Sequence, residues 1–471
     1  MKWIDRLQAA ARAVWPRLLE PVDIASLVFF RIAFGLLLIV EVWRYFQFGW
    51  IKSFYIDPAF HFTYYGFGWV QPWPGRGMYY LFAILGTSAL CILLGFKYRL
   101  ASAIFFFGFT YVFLLDQARY LNHFYLISVI SFLMIFVPAH RAFSLDALLS
   151  KGPRVKTVPR WALWILRAQL ALMYVFAGIA KIGGDWLRGS PMRDLLARQA
   201  SMPLVGPYLT DERVVMLFSY GGLLFDLFIV PLLLWPKTRY LALVAATAFH
   251  GMNHFLFDIG IFPWFAMAGT LLFLPPDWPR RLFSRRSKDE TPAPPSAPKR
   301  GRKLPVPAYS RAVLILLVAH FALQVVVPFR HFLYPGEVNW TDEGQRFSWR
   351  MMLRAKQGSG RFVASDRVTG QQRMINPRQY LSREQIAAMW IHPDMILQFA
   401  HFAAGQLRRE GWQVIDIRAS VAASLNGRRA QLLTDPQVNL DAEKRNLLHA
   451  KWIMPLTEPL PAPPTKARSS R

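Results

Sequence analysis

Apolar residues along this chain gather in nine long runs separated by short polar or basic segments. A bilayer core of about 30 Å takes about 20 helical residues, at about 1.5 Å each. The runs therefore predict membrane-spanning helices at 24–46, 78–96, 100–115, 124–138, 161–181, 214–235, 239–256, 261–275 and 311–329. Several runs are short, and 261–275 could instead be re-entrant.

Basic residues between the runs are distributed unevenly. With the N-terminus placed in the cytoplasm, the inner segments carry 23 Lys and Arg, and the outer loops carry 7. The positive-inside rule then predicts a multi-pass protein of the inner (cell) membrane, with everything after residue 329 on the outer, periplasmic side. Topology also accounts for the net charge of +27, so we expect no nucleic-acid partner.

The segment after the last run changes from apolar runs to mixed periodicities. Arg361–Ile375 reads as a β-hairpin, 382–410 as an amphipathic helix, and Gln413–Ser424 alternates like a strand. Asn426-Gly427 then gives a strong turn signal. We expect an α+β domain outside the membrane.

The fold class predicted is an α-helical multi-pass membrane domain of about 8–9 spans plus this smaller α+β domain. The chain divides into a cytoplasmic segment (1–20), a transmembrane domain (21–280), a basic Pro-rich cytoplasmic linker (281–310), a last span (311–329), an extramembrane domain (330–456) and a disordered tail (457–471).

Cysteine content limits the chemistry. The single cysteine, Cys91, excludes an intrachain disulfide and a metal site built on several thiolates. His250 and His254 have the i, i+4 spacing of metal ligands, but no carboxylate follows at the position that zinc proteases use. We expect no metal.

Lys181 ends an apolar predicted helix, where a charge is costly. One interpretation is a side chain that snorkels to the membrane interface. The other is a buried lysine, because Ala177, Gly178 and Ala180 allow a neighbouring helix to approach closely. A desolvated lysine can act as a general base.

Two histidines also lie in or beside apolar runs. His123 follows Asn122 at the start of one run, where a helix cap with an interfacial histidine is the alternative interpretation. His250 lies midway along another run and could simply bond to a neighbouring helix. The predicted topology places His123, Lys181 and His250 in the outer half of the membrane, which favours one shared site.

Collinear segments of the chain resemble the vitamin K-dependent γ-carboxylase family and its bacterial relatives with an HTTM-type transmembrane domain. They are Phe29–Gly35, Leu94–Arg99, Tyr111–Asp116, Asn122–Leu126, Phe176–Lys181 with Asp185-Trp186, Phe249–Asn253, Asn339–Thr341, Phe347–Trp349, Ile375–Pro377, Ser424–Asn426 and Asp435-Pro436. The resemblance covers roughly 20–456.

The resemblance implies a peptidyl-glutamate 4-carboxylase-like reaction. A base deprotonates vitamin K hydroquinone, or a menaquinol-type naphthohydroquinone, which then reacts with O2 to form a strong base. That base removes a γ-proton from glutamate in an exported peptide or protein, the carbanion takes up CO2, and the quinone leaves as its epoxide. Such chemistry needs a dry pocket beside the membrane lipid that dissolves the quinone.

The resemblance also implies residue roles. The family's initiating base falls on Lys181, and its active-site histidines fall on His123 and His250, with Asn122 beside the first. We expect five further residues to bind the cofactor, namely Arg167, Asn253, Trp340, Ser348 and Trp349.

This chain departs from the animal family members in two respects. It lacks their interdomain disulfide, and Asp342–Gln345 differs from their pattern, so the surface that reads a propeptide could differ or be missing. Two alternatives therefore stay open. One is a quinol epoxidase that carboxylates nothing, and the other is a non-enzymatic transporter or scaffold.

The charge bias makes the topology testable. Reporter fusions at about residues 295 and 460 should report opposite sides of the membrane, because the linker is predicted inside and the tail outside. Two cytoplasmic signals would contradict the nine-span arrangement.

Overall fold

The computed structural model describes residues 16–153, 155–283 and 308–462. Each predicted span contains a helix: α1 (Ala25–Gln47), α2 (Gly77–Leu94), α3 (Tyr98–Leu114), α4 (Asn122–Phe136), α5 (Trp161–Lys181), α6 (Glu212–Leu234), α7 (Arg239–Leu256), α8 (Phe262–Thr270) and α9 (Ala308–Val326). Most of the predicted N-terminal segment, linker and tail lies outside the described residues.

The helices build a multi-pass membrane domain, as predicted. Five of them, α1, α2, α5, α6 and the Ala312–Leu333 stretch that begins in α9, are long and apolar enough to cross a bilayer. The segment around α8 is shorter, since its 9 residues and the 3-residue turn that follows rise only about 18 Å. That length is well below the bilayer core of about 30 Å.

The two ends of the helix bundle carry different structure. At one end, β1 (Pro21–Asp23) pairs antiparallel with β2 (Thr157–Pro159). At the other end, the loops that follow α1, α3 and α5 contact the C-terminal domain through Thr63, Gln117 and Asp185. These are the loops that the charge count places together on the outer side.

Short helical turns complete the connections between these elements. They are α-helical at Leu145–Leu149, Gly184–Leu187, Met192–Ala197, Trp278–Phe283 and Val338–Thr341, 3₁₀-helical at Gln117–Arg119, Gly206–Tyr208, Leu271–Phe273, Val327–Leu333 and Pro377–Gln379, and π-helical at Lys52–Ile56.

A buried arginine ties α1 to two loops. Arg31 is almost fully buried, and it donates to the carbonyls of Ala139 (3.3 Å) and Phe143 (2.7 Å). Gly95, in the left-handed conformation at the end of α2, provides the space for this guanidinium, since a Cβ there would lie 2.3 Å from Arg31 Nη1. The guanidinium thus exchanges water for backbone carbonyls, which is what a buried charge requires.

A chain of polar side chains docks α9 against the bundle. His320 Nε2 lies 2.8 Å from Gln169 Oε1, and the Gln169 amide donates to Gln324 Oε1 at 3.0 Å. Gln324 in turn donates to the Tyr125 hydroxyl at 2.6 Å. Within a membrane such bonds hold helices together, because lipid offers these groups no partner.

The C-terminal domain is α+β, as predicted. Its antiparallel sheet has the order β4-β3-β5-β6, with β3 (Lys356–Asp366), β4 (Gln372–Ile375), β5 (Ile415–Leu425) and β6 (Gln431–Leu432). The hairpin β3–β4 and the strand β5 confirm the sequence prediction. Asn426 and Gly427 follow β5 with φ of +54° and +78°, the left-handed pair that the turn signal anticipated.

The single amphipathic helix predicted at 382–410 is wrong. Two helices occupy this stretch, α10 (Arg383–Met389) and α11 (Pro393–Arg409). Pro393 explains the break, because it has no N–H to donate and disfavours helical backbone at the residue before it. Together α10 and α11 bury their apolar faces in the core of the C-terminal domain.

Polar contacts fix the C-terminal domain on the helix bundle. Gln117, beyond α3, donates to the carbonyl of Thr63 (2.7 Å) and to Asp394 of α11 (3.1 Å). Arg445 donates to both carboxylate oxygens of Asp394, at 2.7 and 2.9 Å, and to the Thr63 carbonyl at 2.6 Å. The bidentate pair lies within the C-terminal domain and holds Arg445 and Asp394 in the geometry with which they contact the two loops.

Asp342 lies at the centre of a buried charged cluster within the segment that differs from the animal pattern. Its carboxylate pairs with Arg354, His392 (2.8 Å) and Lys356 (3.8 Å). Burial alone would raise the pKa of Asp342, but these three neighbours hold it well below its usual value. Burial also lowers the pKa of Lys356 to about 7 and that of His392 to about 4.

Replacement of Asp342 by Asn should destabilise the protein by about 3 kcal/mol at pH 7, because Arg354 and Lys356 lose their buried counter-charge. The pKa of Asp342 is lowered in the folded state, so its stabilisation is present above about pH 4 and fades as the pH falls further. Tryptophan-monitored unfolding of both proteins from pH 7 to pH 3 measures this. Equal stability of wild type and Asp342→Asn at pH 7 would contradict the role of Asp342 as the buried counter-charge.

Candidate functional site

Lys181 lies at the end of α5 and is buried, with 5% of its surface exposed. Its position follows from the close packing of α5 on α6, because a Cβ on Gly178 would lie only 2.7 Å from Leu227. Small residues of this kind let two helices approach closely. The lysine therefore points into the protein and does not snorkel.

Lys181 forms an ion pair with the carboxylate of Asp226. Lys181 Nζ lies 2.7 Å from Oδ2 of Asp226 on α6, and it also donates to the Ala177 carbonyl at 3.3 Å. The ring of Trp186 lies 5.0 Å from the same nitrogen. The pair carries no net charge, whether the proton lies on nitrogen or on oxygen. That neutrality is what makes two ionisable groups tolerable at membrane depth.

His250 on α7 is held by a tyrosine. Its Nε2 lies 2.8 Å from the Tyr174 hydroxyl, and Phe225 packs edge-on against the ring at 5.6 Å. Its Nδ1 is buried and hydrogen-bonds to no described residue. A buried nitrogen without a partner is costly unless a bound molecule satisfies it.

His123 stands on α4 with Asn122 beside it. Asn122 begins the helix, and its side-chain oxygen accepts from the Tyr120 hydroxyl at 3.1 Å. Phe262 of α8 connects the two histidines, since its ring centroid lies 6.1 Å from that of His123 and 6.1 Å from that of His250.

One cavity of about 810 Å³ brings these groups together. Asn122, His123, Lys181, His250 and Asn253 all line it. Aromatic rings form much of the remaining wall, contributed by Tyr45, Trp50, Phe54, Phe124, Tyr174, Trp186, Phe218, Phe225, Phe249, Phe257 and Phe262. The five predicted residues come from α4, α5 and α7, so only the folded bundle makes them neighbours.

The other four predicted cofactor-binding residues do not line this cavity. Arg167 donates to the carbonyls of Leu272 and Leu274, at the opposite end of the bundle. Trp340 is buried in the core of the C-terminal domain and donates to the Met454 carbonyl at 2.7 Å.

Ser348 and Trp349 pack at the junction beside the cavity. The Ser348 hydroxyl donates to the Gly344 carbonyl at 2.7 Å, and Trp349 lies against Tyr125 with ring centroids 4.7 Å apart. Phe347, Trp349 and Met352 all have positive φ, which costs an ordinary residue of order 1 kcal/mol or more. This strained segment places Met351 and Met352 in the cavity wall.

Several lining residues have no counterpart in the sequence prediction. Asp226 and Tyr174 contact the predicted lysine and histidine directly. Arg44 also lines the cavity, paired at 2.8 Å with the buried carboxylate of Glu41. Across the described ranges, no cluster of three His, Cys, Asp or Glu residues is arranged to hold a metal ion.

Two models of known protein families match the chain. Residues 19–278 match the model of the HTTM domain. Residues 309–459 match the vitamin K-dependent gamma-carboxylase, lumenal domain. The chain belongs to the vitamin K-dependent γ-carboxylase family. No solved structure matches it.

In this γ-carboxylase family member, one family model matches the helix bundle and the other matches the C-terminal part of the chain. The first ends at residue 278 and the second begins at residue 309. The cavity belongs mainly to the first match, and Met351 and Met352 of the second close one part of it.

The buried pair Lys181–Asp226 should show strong energetic coupling. Asp226→Ala and Lys181→Met each leave one unpaired charge in an apolar site, so each should lose about 3–5 kcal/mol of stability. The double variant should lose clearly less than the sum of both losses. Thermal unfolding of the four proteins in one detergent measures this coupling. Additive losses would show that the two side chains do not interact.

Proposed function

We propose that this protein uses a reduced naphthoquinone and O2 to drive the γ-carboxylation of glutamate by CO2 in an exported peptide or protein. The cavity that joins Lys181, His123 and His250 is the observation that carries the proposal. Its volume lies within the range of small-molecule sites, and its walls are mostly apolar and aromatic with a few polar groups.

A lipid-dissolved substrate needs entry from the membrane. Cavity-lining residues of α6 and α7 are also exposed on the outer surface of that helix pair, including Leu217, Gly221, Ala248 and Met252. Among the described residues, no atom outside the helix's own nearby backbone and the neighbours of Gly221 lies within 4 Å of where its side chain would begin. The exposed lining residues form an opening between α6 and α7. This opening is consistent with a quinol whose ring enters between the two helices while its apolar tail stays in lipid.

When bound, the reduced quinone supplies, together with O2, the oxidation that generates a base strong enough for a glutamate γ-carbon. The lining residues fit such a molecule, because flat aromatic walls suit its ring and the buried His250 Nδ1 has no hydrogen-bond partner among the described residues. His123 likewise hydrogen-bonds to no residue within the described chain, so its nitrogens are available to orient a hydroxyl.

Lys181 is the proposed initiating base. To act, Nζ must first pass its extra proton to Asp226 Oδ2, which lies 2.7 Å away. The transfer leaves a neutral amine beside a neutral acid, so the cavity carries the same net charge before and after. The amine then accepts the hydroxyl proton of the quinol, and the surrounding apolar rings keep out the water that would otherwise compete.

Tyr174 and Trp186 are the proposed positioning residues. The Tyr174 hydroxyl fixes the His250 ring. Trp186, whose indole N–H donates to the Ser219 carbonyl at 2.8 Å, holds its ring over Lys181. The bidentate ion pair of Asp185 with Arg428, at 2.6 and 2.8 Å, connects this turn to the C-terminal domain. We place that domain on the outer side, where an exported substrate would meet it.

Substitution of Lys181 tests the proposed function. Lys181→Ala should lower both epoxide formation and CO2 incorporation by roughly a hundredfold or more, because both need the deprotonated quinol. Lys181→Arg should fail as well, since a guanidinium stays protonated at working pH. A small added amine should restore part of the Lys181→Ala activity by occupying the vacated space.

Lys52→Ala is the matched control. Lys52 also lies at the predicted outer end of the bundle, but its side chain is 67% exposed. This variant should keep wild-type turnover of the quinol and of the glutamyl peptide. Near-normal activity of Lys181→Arg, with its folding intact, would exclude Lys181 as the base.

A further inference from the structure

The cavity wall carries two guanidinium groups at the ends of an aromatic stack. Arg44 lies 5.0 Å from the ring centroid of Trp50, and Arg119 lies 3.5 Å from that of Phe54. The two rings themselves stack at 5.6 Å with an interplanar angle of 15°. All four residues line the cavity. The rings hold both cations in place without neutralising them.

The cations of the cavity differ in their partners. Lys181 and Arg44 each hydrogen-bond to a buried carboxylate, Asp226 and Glu41 respectively. Arg119 has only a loose ion pair at 3.6 Å with Glu384, whose side chain is 63% exposed. Its Nε and Nη2 are buried and hydrogen-bond to nothing in the described part of the chain. The wall therefore keeps one positive charge that lacks a close counter-ion.

The backbone around Arg119 is firmly held. Asp116 caps the Gln117–Arg119 turn by accepting from the Ala118 N–H at 2.8 Å, and it also accepts from Gln385 of α10 at 2.6 Å. Gln117 is bonded to the Thr63 carbonyl. Arg119 thus lines the cavity at a point where the C-terminal domain contacts the bundle.

We propose that Arg119 binds the side-chain carboxylate of the glutamate that is to be modified. This inference rests on the proposed function, since it names the residue that recognises that substrate. A guanidinium offers two parallel N–H donors to a carboxylate, which fixes the direction of the side chain as well as its place. A cation there also stabilises the extra negative charge that develops when the adjacent γ-carbon loses its proton.

Arg119→Gln tests this proposal, with Glu384→Gln as the matched control. The first change removes the guanidinium, and the second removes only its exposed partner. Arg119→Gln should raise the KM for a glutamyl peptide roughly tenfold to a hundredfold and leave the KM for the quinol unchanged. Glu384→Gln should leave both constants near wild type, and Arg119→Lys should recover part of the loss.

A binding titration keeps the inference separate from the proposed function. Purified protein is titrated with a labelled glutamyl peptide and with its glutamine counterpart. Wild type should prefer the glutamyl peptide, and Arg119→Gln should lose this preference while binding the glutamine peptide equally well. Wild-type protein that binds the peptide but incorporates no CO2 would contradict the proposed function alone.

Three results would overturn the role of Arg119. One is an unchanged preference in Arg119→Gln. Another is an equal loss in Glu384→Gln, which would assign the effect to the structural pair. The third is the absence of any preference in wild type, or a preference abolished only by vesicles of anionic lipid, which would make lipid phosphate the partner of Arg119.

Discussion

The ion pair between Lys181 and Asp226 is the interaction on which the site depends. Two ionisable groups are stable at this depth only because each neutralises the other at 2.7 Å. Their contact in turn requires α5 and α6 to pack as closely as Gly178 allows. The same pairing that makes the lysine tolerable in the bundle also gives the proposed base a nearby acceptor for its proton.

The C-terminal domain completes the cavity from outside the helix bundle. It docks through Asp394, which accepts from Gln117, and through Arg445, which donates to the Thr63 carbonyl. Arg428 forms a further anchor with Asp185, only four residues after Lys181. Between these anchors, the strained segment from Phe347 to Met352 reaches the cavity wall. Backbone strain of this kind persists only where surrounding contacts fix it. The domain therefore shapes the cavity as well as covering it.

The sequence predicted the spans and the residues that are costly in a membrane, because length, hydropathy and isolated charge are local properties. The cost of a charge in a membrane would also have singled out Asp226, a lone carboxylate well inside an apolar run. Pro393 was a sequence signal for the break between α10 and α11. Arg119 carried no such signal, since a loop arginine is ordinary and only the fold reveals that its pairing among the described residues is the 3.6 Å one with exposed Glu384. Trp340 and Ser348 matched family motifs, yet their partners are backbone carbonyls that sequence does not show.

One measurement tests the central claim most directly. Purified protein is incubated with vitamin K hydroquinone, O2, labelled bicarbonate and a glutamate-containing peptide, and quinone epoxide and labelled peptide are quantified together. If the cavity around Lys181 and Asp226 is a quinol-driven carboxylation site, both products appear, and neither forms when the quinol is omitted. Protein that is folded and binds the quinol but forms neither epoxide nor labelled peptide would contradict the account.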